Sequence, residues 1–326
     1  MIEYAQYYGF SENPFNISPD PIFFFPAEGH REALAGLSYG ISQRKGFVLL
    51  LGEEGIGKTT LIKHLMATLD GNVKTVFFPQ SQIAFGQMLK EILLNLGIPI
   101  KVEVKGSMLH DLYDYLIRSL AKDENVAIII DEAQNISLEA IEELRLLSNL
   151  ETSRSKLLQI VIAGEPKLKA KLRSKVIRQI NQRIVVSSEI CPLTEEESLR
   201  YIDHRLKIAG SGSSEIFTDE ALSLICRCAK GIPRAINILC SNALSVGYGL
   251  SEKKISASTV RKIRREKDIS TEGMSPGQSL RMIKNLSHKI SYAFLALAIF
   301  AMFIFFNKDY VKHVVTVGKS KDASEL

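Results

Sequence analysis

Residues Gly52-Glu53-Glu54-Gly55-Ile56-Gly57-Lys58-Thr59 follow the apolar run Phe47-Val48-Leu49-Leu50-Leu51 and open into Thr60-Leu61-Ile62-Lys63-His64-Leu65-Met66, whose apolar spacing is helical. The order is strand, glycine loop, helix, and it decides the fold class. The glycines let successive backbone N–H groups turn inward around phosphate oxygens, and the following helix presents its positive dipole end to them. In a G-x-x-x-x-G-K-T loop, Lys58 reaches the β- and γ-phosphates and the Thr59 hydroxyl holds Mg²⁺. The stretch from Gly52 to Thr60 is therefore a candidate nucleotide site, because a bare pattern match lacks the strand before it and the helix behind it.

The chain after this loop supplies the second half of such a site. Val73–Phe78 is β-branched and aromatic, as a second strand requires, and helical patterns follow at Ile83–Leu96 and Met108–Ala121. Val126-Ala127-Ile128-Ile129-Ile130 is a continuous apolar run of the kind buried on both faces of a parallel sheet. It ends in Asp131 and Glu132. With the phosphate loop in place, a carboxylate at this strand end holds the metal and its neighbour polarises the attacking water, which assigns Asp131 to Mg²⁺ and Glu132 to the water. A helix over Ser137–Asn149, capped by Ser137, precedes a buried strand over Leu157–Ala163 that stops at Gly164-Glu165-Pro166. A strand over Ile184–Ser188 closes the unit. This alternation predicts a doubly wound α/β parallel sheet over 29–192, with its ligand at the carboxyl ends of the strands.

The flanks read differently. Residues 1–28 are punctuated by prolines and phenylalanines and predict an extended lead-in pinned by aromatics. In the helix expected over Gly29–Gln43, His30 and Arg31 are either a solvated helix start or a lid over the adenine. Residues 193–267 predict an all-helical second domain: a capping box at Thr194-Glu195-Glu196-Glu197, helices Asp219–Ala229 and Arg234–Val246 parted by Gly231-Ile232-Pro233, and a basic helix at Ser256–Arg265. Residues 268–289 read as a linker. Residues 290–306 form an uncharged run of 17, flanked by Lys289 and Lys308. As a helix it is about 26 Å long, near the hydrocarbon thickness of about 30 Å, and it predicts one transmembrane span with a short tail, 307–326. Lysines lie on both sides of the run, so charge alone does not orient it; an ATP-using domain facing the cytoplasm does, sending the tail to the far side.

The 326 residues, 46% of them apolar, suffice for an α/β core and a smaller unit, and a net charge of +5 admits an anionic partner without demanding one. Cys191, Cys226, Cys228 and Cys240 lack metal-binding spacing and read as reduced, buried thiols. Met1-Ile2-Glu3-Tyr4 leads into polar and turn residues, so no secretory leader is expected.

With these pieces assembled, the chain resembles an AAA+ ATPase, specifically the secretion-pathway ExeA/GspA type, over about Tyr8 to Ala243. The strings that carry the resemblance are Phe15 with Ser18-Pro19-Asp20-Pro21, His30-Arg31-Glu32-Ala33-Leu34, Gly46-Phe47-Val48-Leu49-Leu50, Asp131-Glu132-Ala133-Gln134-Asn135, Glu143 through Thr152, and Gly231-Ile232-Pro233-Arg234 with Ile236-Asn237. The resemblance implies ATP and Mg²⁺ as ligands and a homo-oligomer, a ring, as the working form. It matches Arg183 to the arginine finger that reaches the γ-phosphate of a neighbouring subunit; the alternative is a helix-end arginine paired with an acid. It matches Arg234 to a second sensor that touches phosphate from the helical lid. Two departures stand out. Glu165 replaces the usual glutamine at the first-sensor position, where a carboxylate repels the γ-phosphate and slows hydrolysis. The tail 307–326 is too short for the peptidoglycan-binding domain that members often carry, so a partner chain would supply it.

The expected function is a membrane-anchored ATPase of the bacterial inner membrane, its ATPase domain cytoplasmic, that assembles, remodels or gates a cell-envelope secretion or pilus system. The alternative is an ATP-dependent nucleic-acid-binding switch of the origin and transposition kind, suggested by the basic helix at 256–265. Anionic lipid beside the adjoining span explains that helix better than duplex DNA does. A third reading is a structural anchor that binds ATP and barely hydrolyses it.

Overall fold

The computed structural model describes residues 3–80, 82–153, 155–173 and 178–263. Five strands form its centre: β1 (Phe47–Gly52), β2 (Val73–Phe78), β3 (Asn125–Ile130), β4 (Leu158–Gly164) and β5 (Ile184–Ile190). They pair in parallel in the order β2-β3-β4-β1-β5. β1, β3 and β4 are buried along their whole length, as their unbroken apolar runs require, because helices cover both faces. The edge strands β2 and β5 are only partly buried.

Side chains alternate across the sheet and so divide the apolar core in two. Phe47, Leu49, Leu51, Ile128, Ile130, Ile160 and Ile162 face the helices Phe85–Asn95, Lys105–Ala121 and Leu138–Leu147. Val48, Leu50, Ala127, Ile129, Val161 and Ala163 face the helices Glu28–Ser42 and Lys58–Thr68. The expected helices over 83–96 and 108–121 thus occupy 85–95 and 105–121. The last strand runs two residues further than expected, to Ile190. After a register shift between Phe47 and Val48, its pairing continues along β1 to Gly52, beside the phosphate loop.

The helical part follows the expected pattern closely. Thr194 and Glu197 form the reciprocal capping box at the start of helix Glu195–Ile208, a device worth about 1 kcal/mol. Helices Asp219–Ala229 and Pro233–Gly249 pack on it, and residues 257–263 are helical. The remainder of the predicted basic helix lies outside the described residues.

The lead-in differs from its expected form. It contains a helix, Glu3–Tyr7, and a single turn, Pro21–Phe23. Tyr4, Tyr8, Phe10 and Phe15 are buried in the same cluster as Ile202, Phe217 and Leu244, so the aromatics that pin the segment complete the helical core. The cysteines are also not uniformly buried: Cys226 and Cys240 are, Cys228 is half-buried and Cys191 is exposed. Cys191 follows the last residue of the edge strand.

No helix among the described residues is long and apolar enough to cross a membrane. The expected span at 290–306, its linker and its tail lie outside the described residues.

Candidate functional site

The phosphate loop leaves the carboxyl end of β1, and the loops after β4 and β3 lie beside it, because β4 sits between β1 and β3. Gly55 and Gly57 both have positive φ, +76° and +107°, which L side chains adopt at a cost. Gly57 is the residue from which helix Lys58–Thr68 starts. The loop is locked from below. Ile56 is fully buried, and its carbonyl accepts a hydrogen bond from His30 Nε2 at 3.0 Å. Because a carbonyl can only accept, the proton sits on Nε2. Burial holds His30 below the ordinary imidazole range, so the ring is a neutral donor. His30 is therefore not a solvated helix start and it lines the cleft, whereas Arg31 beside it is exposed.

Lys58 is buried, with its ammonium turned back to donate to the carbonyls of Gly52 at 2.9 Å and Glu53 at 3.0 Å. Those neutral carbonyls hold the ammonium against the loop. Glu53 and Glu54 are exposed, and Thr60 lines the cleft. The Thr59 hydroxyl donates to the carboxylate of the buried Asp131 across the gap between the loop and β3. The other Asp131 oxygen accepts the backbone N–H of Glu132 at 2.9 Å, which fixes the carboxylate's orientation. One hydroxyl and one carboxylate oxygen meeting here are the hard donors that Mg²⁺ takes, with water and phosphate oxygens completing its shell. Among the described residues no group of three or more His, Cys, Asp or Glu could hold a metal ion.

Glu132 is half-buried with a left-handed backbone, φ +52°, and lines the cleft. Gln134 ties it to the end of β4. The Gln134 amide nitrogen donates to Glu132 at 2.6 Å and to Glu165 at 2.9 Å, and its oxygen accepts the backbone N–H of Glu165 at 3.1 Å. Lys167 pairs with the other Glu165 oxygen at 2.9 Å. The Glu165 carboxylate is thus partly neutralised by groups that the motif match alone did not reveal.

From the helical side, Arg234 stands over the loop. Its backbone N–H donates to the Gly55 carbonyl at 3.1 Å and its guanidinium pairs with Glu54 at 2.9 Å. Arg183, by contrast, immediately precedes β5 and so lies at the amino end of a parallel sheet, opposite its own phosphate loop. The structure brings together every expected site residue except this one. A hydrogen bond from Lys156 and its charge hold Glu151 below the ordinary carboxylate range, and the Arg183 charge adds to them.

The loop, residues 16–20 and 23–25 of the lead-in, His30, Glu132, Arg234 and part of helix Glu195–Ile208 enclose a cleft of about 550 Å³. That falls within the range typical of small-molecule sites, about 300–1,000 Å³. Phe23, Tyr201, Arg205 and Asn237 also line it, and none of them is among the site residues expected from sequence. Asn237 lay within a string that carried the family resemblance, so it was visible without its role.

Residues 41–172 match the family described as AAA domain. The chain is 38% identical over 253 residues to general secretion pathway protein A of Aeromonas hydrophila, a match covering 77% of this chain and 46% of that protein. The chain spans about half the length, or less, of the curated relatives it matches. Among solved structures it is similar in fold to Cdc6p from Pyrobaculum aerophilum, with a TM-score of 0.58 at 17% identity, covering 76% of this chain and 71% of that one. It is similar also to the Aeropyrum pernix ORC1 protein in complex with DNA, with a TM-score of 0.57 at 16% identity, covering 79% and 69%.

Proposed function

We propose, from the premise that this chain is an AAA+ ATPase similar to general secretion pathway protein A, that it hydrolyses Mg-ATP at a site shared between subunits and works on a cell-envelope secretion or pilus system. The observation that supports this most is the junction of Thr59 and Asp131 beneath the phosphate loop, with Arg234 closing the cleft from above. In this reading Lys58 leaves the carbonyls of Gly52 and Glu53 for the β- and γ-phosphates, and the backbone N–H groups of Gly55 to Thr60 turn around the phosphate oxygens. Mg²⁺, held by Thr59 and Asp131, would neutralise charge on the phosphates. Glu132 orients and accepts a proton from the attacking water, and Arg234 reports the phosphate to the helical lid.

The position of Arg183 at the far end of β5 leaves it available to a neighbour and out of reach of its own loop. We assign it to the γ-phosphate of the adjacent subunit, which makes an oligomer, a ring, the active form. The run 290–306 would anchor the protein in the bacterial inner membrane with the ATPase on the cytoplasmic face. A peptidoglycan-binding partner chain would complete the machine.

Fractionation and sizing of the wild type beside Glu132→Gln, each with ATP, test the proposal. Both should pellet with membranes, and the variant should accumulate as an ATP-bound oligomer. A soluble monomer whatever the nucleotide would overturn it.

A further inference from the structure

A line of hydrogen bonds runs from the lead-in wall of the nucleotide cleft to helix Pro233–Gly249, whose first turn carries Arg234. Arg234 stands at the phosphate end. Arg205, on helix Glu195–Ile208, also lines the cleft and is a buried cation, 6% exposed, whose described polar partners are all neutral. Its Nε donates to the carbonyl of Pro14 and its Nη2 to that of Asn16 at 3.3 Å, while the guanidinium lies 4.5 Å from the centre of the Phe23 ring. Burying a guanidinium on neutral partners is costly, so stability alone accounts poorly for it. What Arg205 does is hold the lead-in, and with it Phe23, as one wall of the cleft.

The line continues inward. Arg205 Nη1 donates to the Tyr201 hydroxyl at 2.9 Å, and that hydroxyl donates to Asn237 Oδ1 at 2.9 Å. A hydroxyl can do both at once, and burial raises the Tyr201 phenol above its ordinary range, so it keeps the proton it donates. Asn237 is itself buried, three residues after Arg234 on helix Pro233–Gly249, and therefore on the same side of that helix. Each link has one direction: Arg205 donates, Tyr201 accepts and donates, Asn237 accepts.

We propose that Arg205, Tyr201 and Asn237 form a positioning chain that couples the two ends of the nucleotide. A base settling against the lead-in and Tyr201 fixes the start of helix Pro233–Gly249, so that Arg234 stands over the phosphates. The inference rests on the nucleotide-binding reading and adds that the base and the phosphates are bound cooperatively, each end strengthening the other by the same factor.

The test measures the affinity of the full chain for Mg-ATP and for Mg-tripolyphosphate, which carries the phosphates and no base. Tyr201→Phe keeps the ring that walls the cleft and removes only the hydroxyl that joins the chain. It should weaken Mg-ATP about 5- to 10-fold and leave tripolyphosphate within about twofold. The penalty of Arg234→Ala on Mg-ATP should shrink when Tyr201→Phe is already present. Independent penalties, equal losses on both ligands, or wild-type affinity in Tyr201→Phe would each overturn the proposal. Should Tyr201→Phe fail to fold in a thermal melt, Asn237→Ala cuts the same chain one link later and is read in the same way. A wild type that binds neither ligand overturns the nucleotide reading itself and takes the chain with it; binding by the wild type with additive variants overturns the chain alone.

Discussion

Replacing Gly55 by alanine puts a methyl group where the phosphate loop meets the helical lid. The new Cβ would lie 2.7 Å from Arg234 Cβ, 3.2 Å from its Cδ and 3.3 Å from Ile232 Cγ2, and the position has φ +76°. The backbone conformation alone costs an alanine about 1–2 kcal/mol. Keeping the lid seated adds an overpacking cost of about 1–3 kcal/mol. Lifting the lid instead gives up one backbone hydrogen bond, worth about 1 kcal/mol, and an exposed ion pair between Arg234 and Glu54 worth about 0–1 kcal/mol. Lifting is the cheaper route, so the expected outcome is a stability loss of about 2–4 kcal/mol together with a displaced Arg234. Mg-ATP affinity should then fall about 10-fold, the equivalent of about 1.4 kcal/mol. Urea denaturation and a nucleotide titration read the two effects separately. Gly106→Ala is the control: it lies in helix Lys105–Ala121 with nothing within 4 Å of the added carbon, and it should stabilise by about 0.5–1 kcal/mol. A Gly55→Ala protein with wild-type midpoint and wild-type affinity would refute the seating of the lid on the loop.

Two further outcomes follow from the site. His30 is held below its ordinary value of 6.5 by burial, so below about pH 6.5 the unfolded chain binds the proton that the folded chain refuses. Stability is therefore full above that pH and is lost as the pH falls from there toward the folded value, with His204, shifted the same way by burial, contributing as well. His30→Gln should flatten this dependence in urea midpoints measured across the acid range, and an unchanged slope would contradict the assignment. Glu165→Gln removes a carboxylate from beside Glu132 while keeping an acceptor for Gln134, and steady-state ATP turnover should rise about 3- to 10-fold, corresponding to about 0.7–1.4 kcal/mol of barrier. A fall in turnover would mean that the carboxylate assists.

The parts of the fold legible in sequence are those set by local chemistry. The unbroken run at 47–51, the acids at the end of the 126–130 run, the capping box at Thr194 and the helix Asp219–Ala229 could each be read because neighbours in sequence decide them. The strand order was not legible, because placing β1 between β4 and β5 depends on contacts made across more than a hundred residues. The roles of His30 and Gln134 were not legible for a similar reason. A histidine at a helix start looks solvated until the loop that folds over it is known, and a glutamine after two acids looks incidental until the end of β4 arrives beside it. Arg205 and Tyr201 read as one more charged and one more aromatic residue on an amphipathic helix. Only the lead-in, returning from nearly 190 residues earlier, turns them into a wall of the cleft.

The claim on which the rest depends is that the ATP site is completed by a second subunit. Arg183→Ala leaves every residue of the phosphate cleft in place and should reduce turnover about 10³-fold with nucleotide affinity retained. Glu132→Gln should be equally inactive, with its Arg183 intact. Mixing the two inactive proteins is the direct measurement: subunits carrying Arg183→Ala keep a working cleft, and the Glu132→Gln neighbours lend it an arginine, so ATPase activity should return in the mixture. A mixture as inactive as its components, under conditions where the two proteins co-assemble, would contradict a shared site.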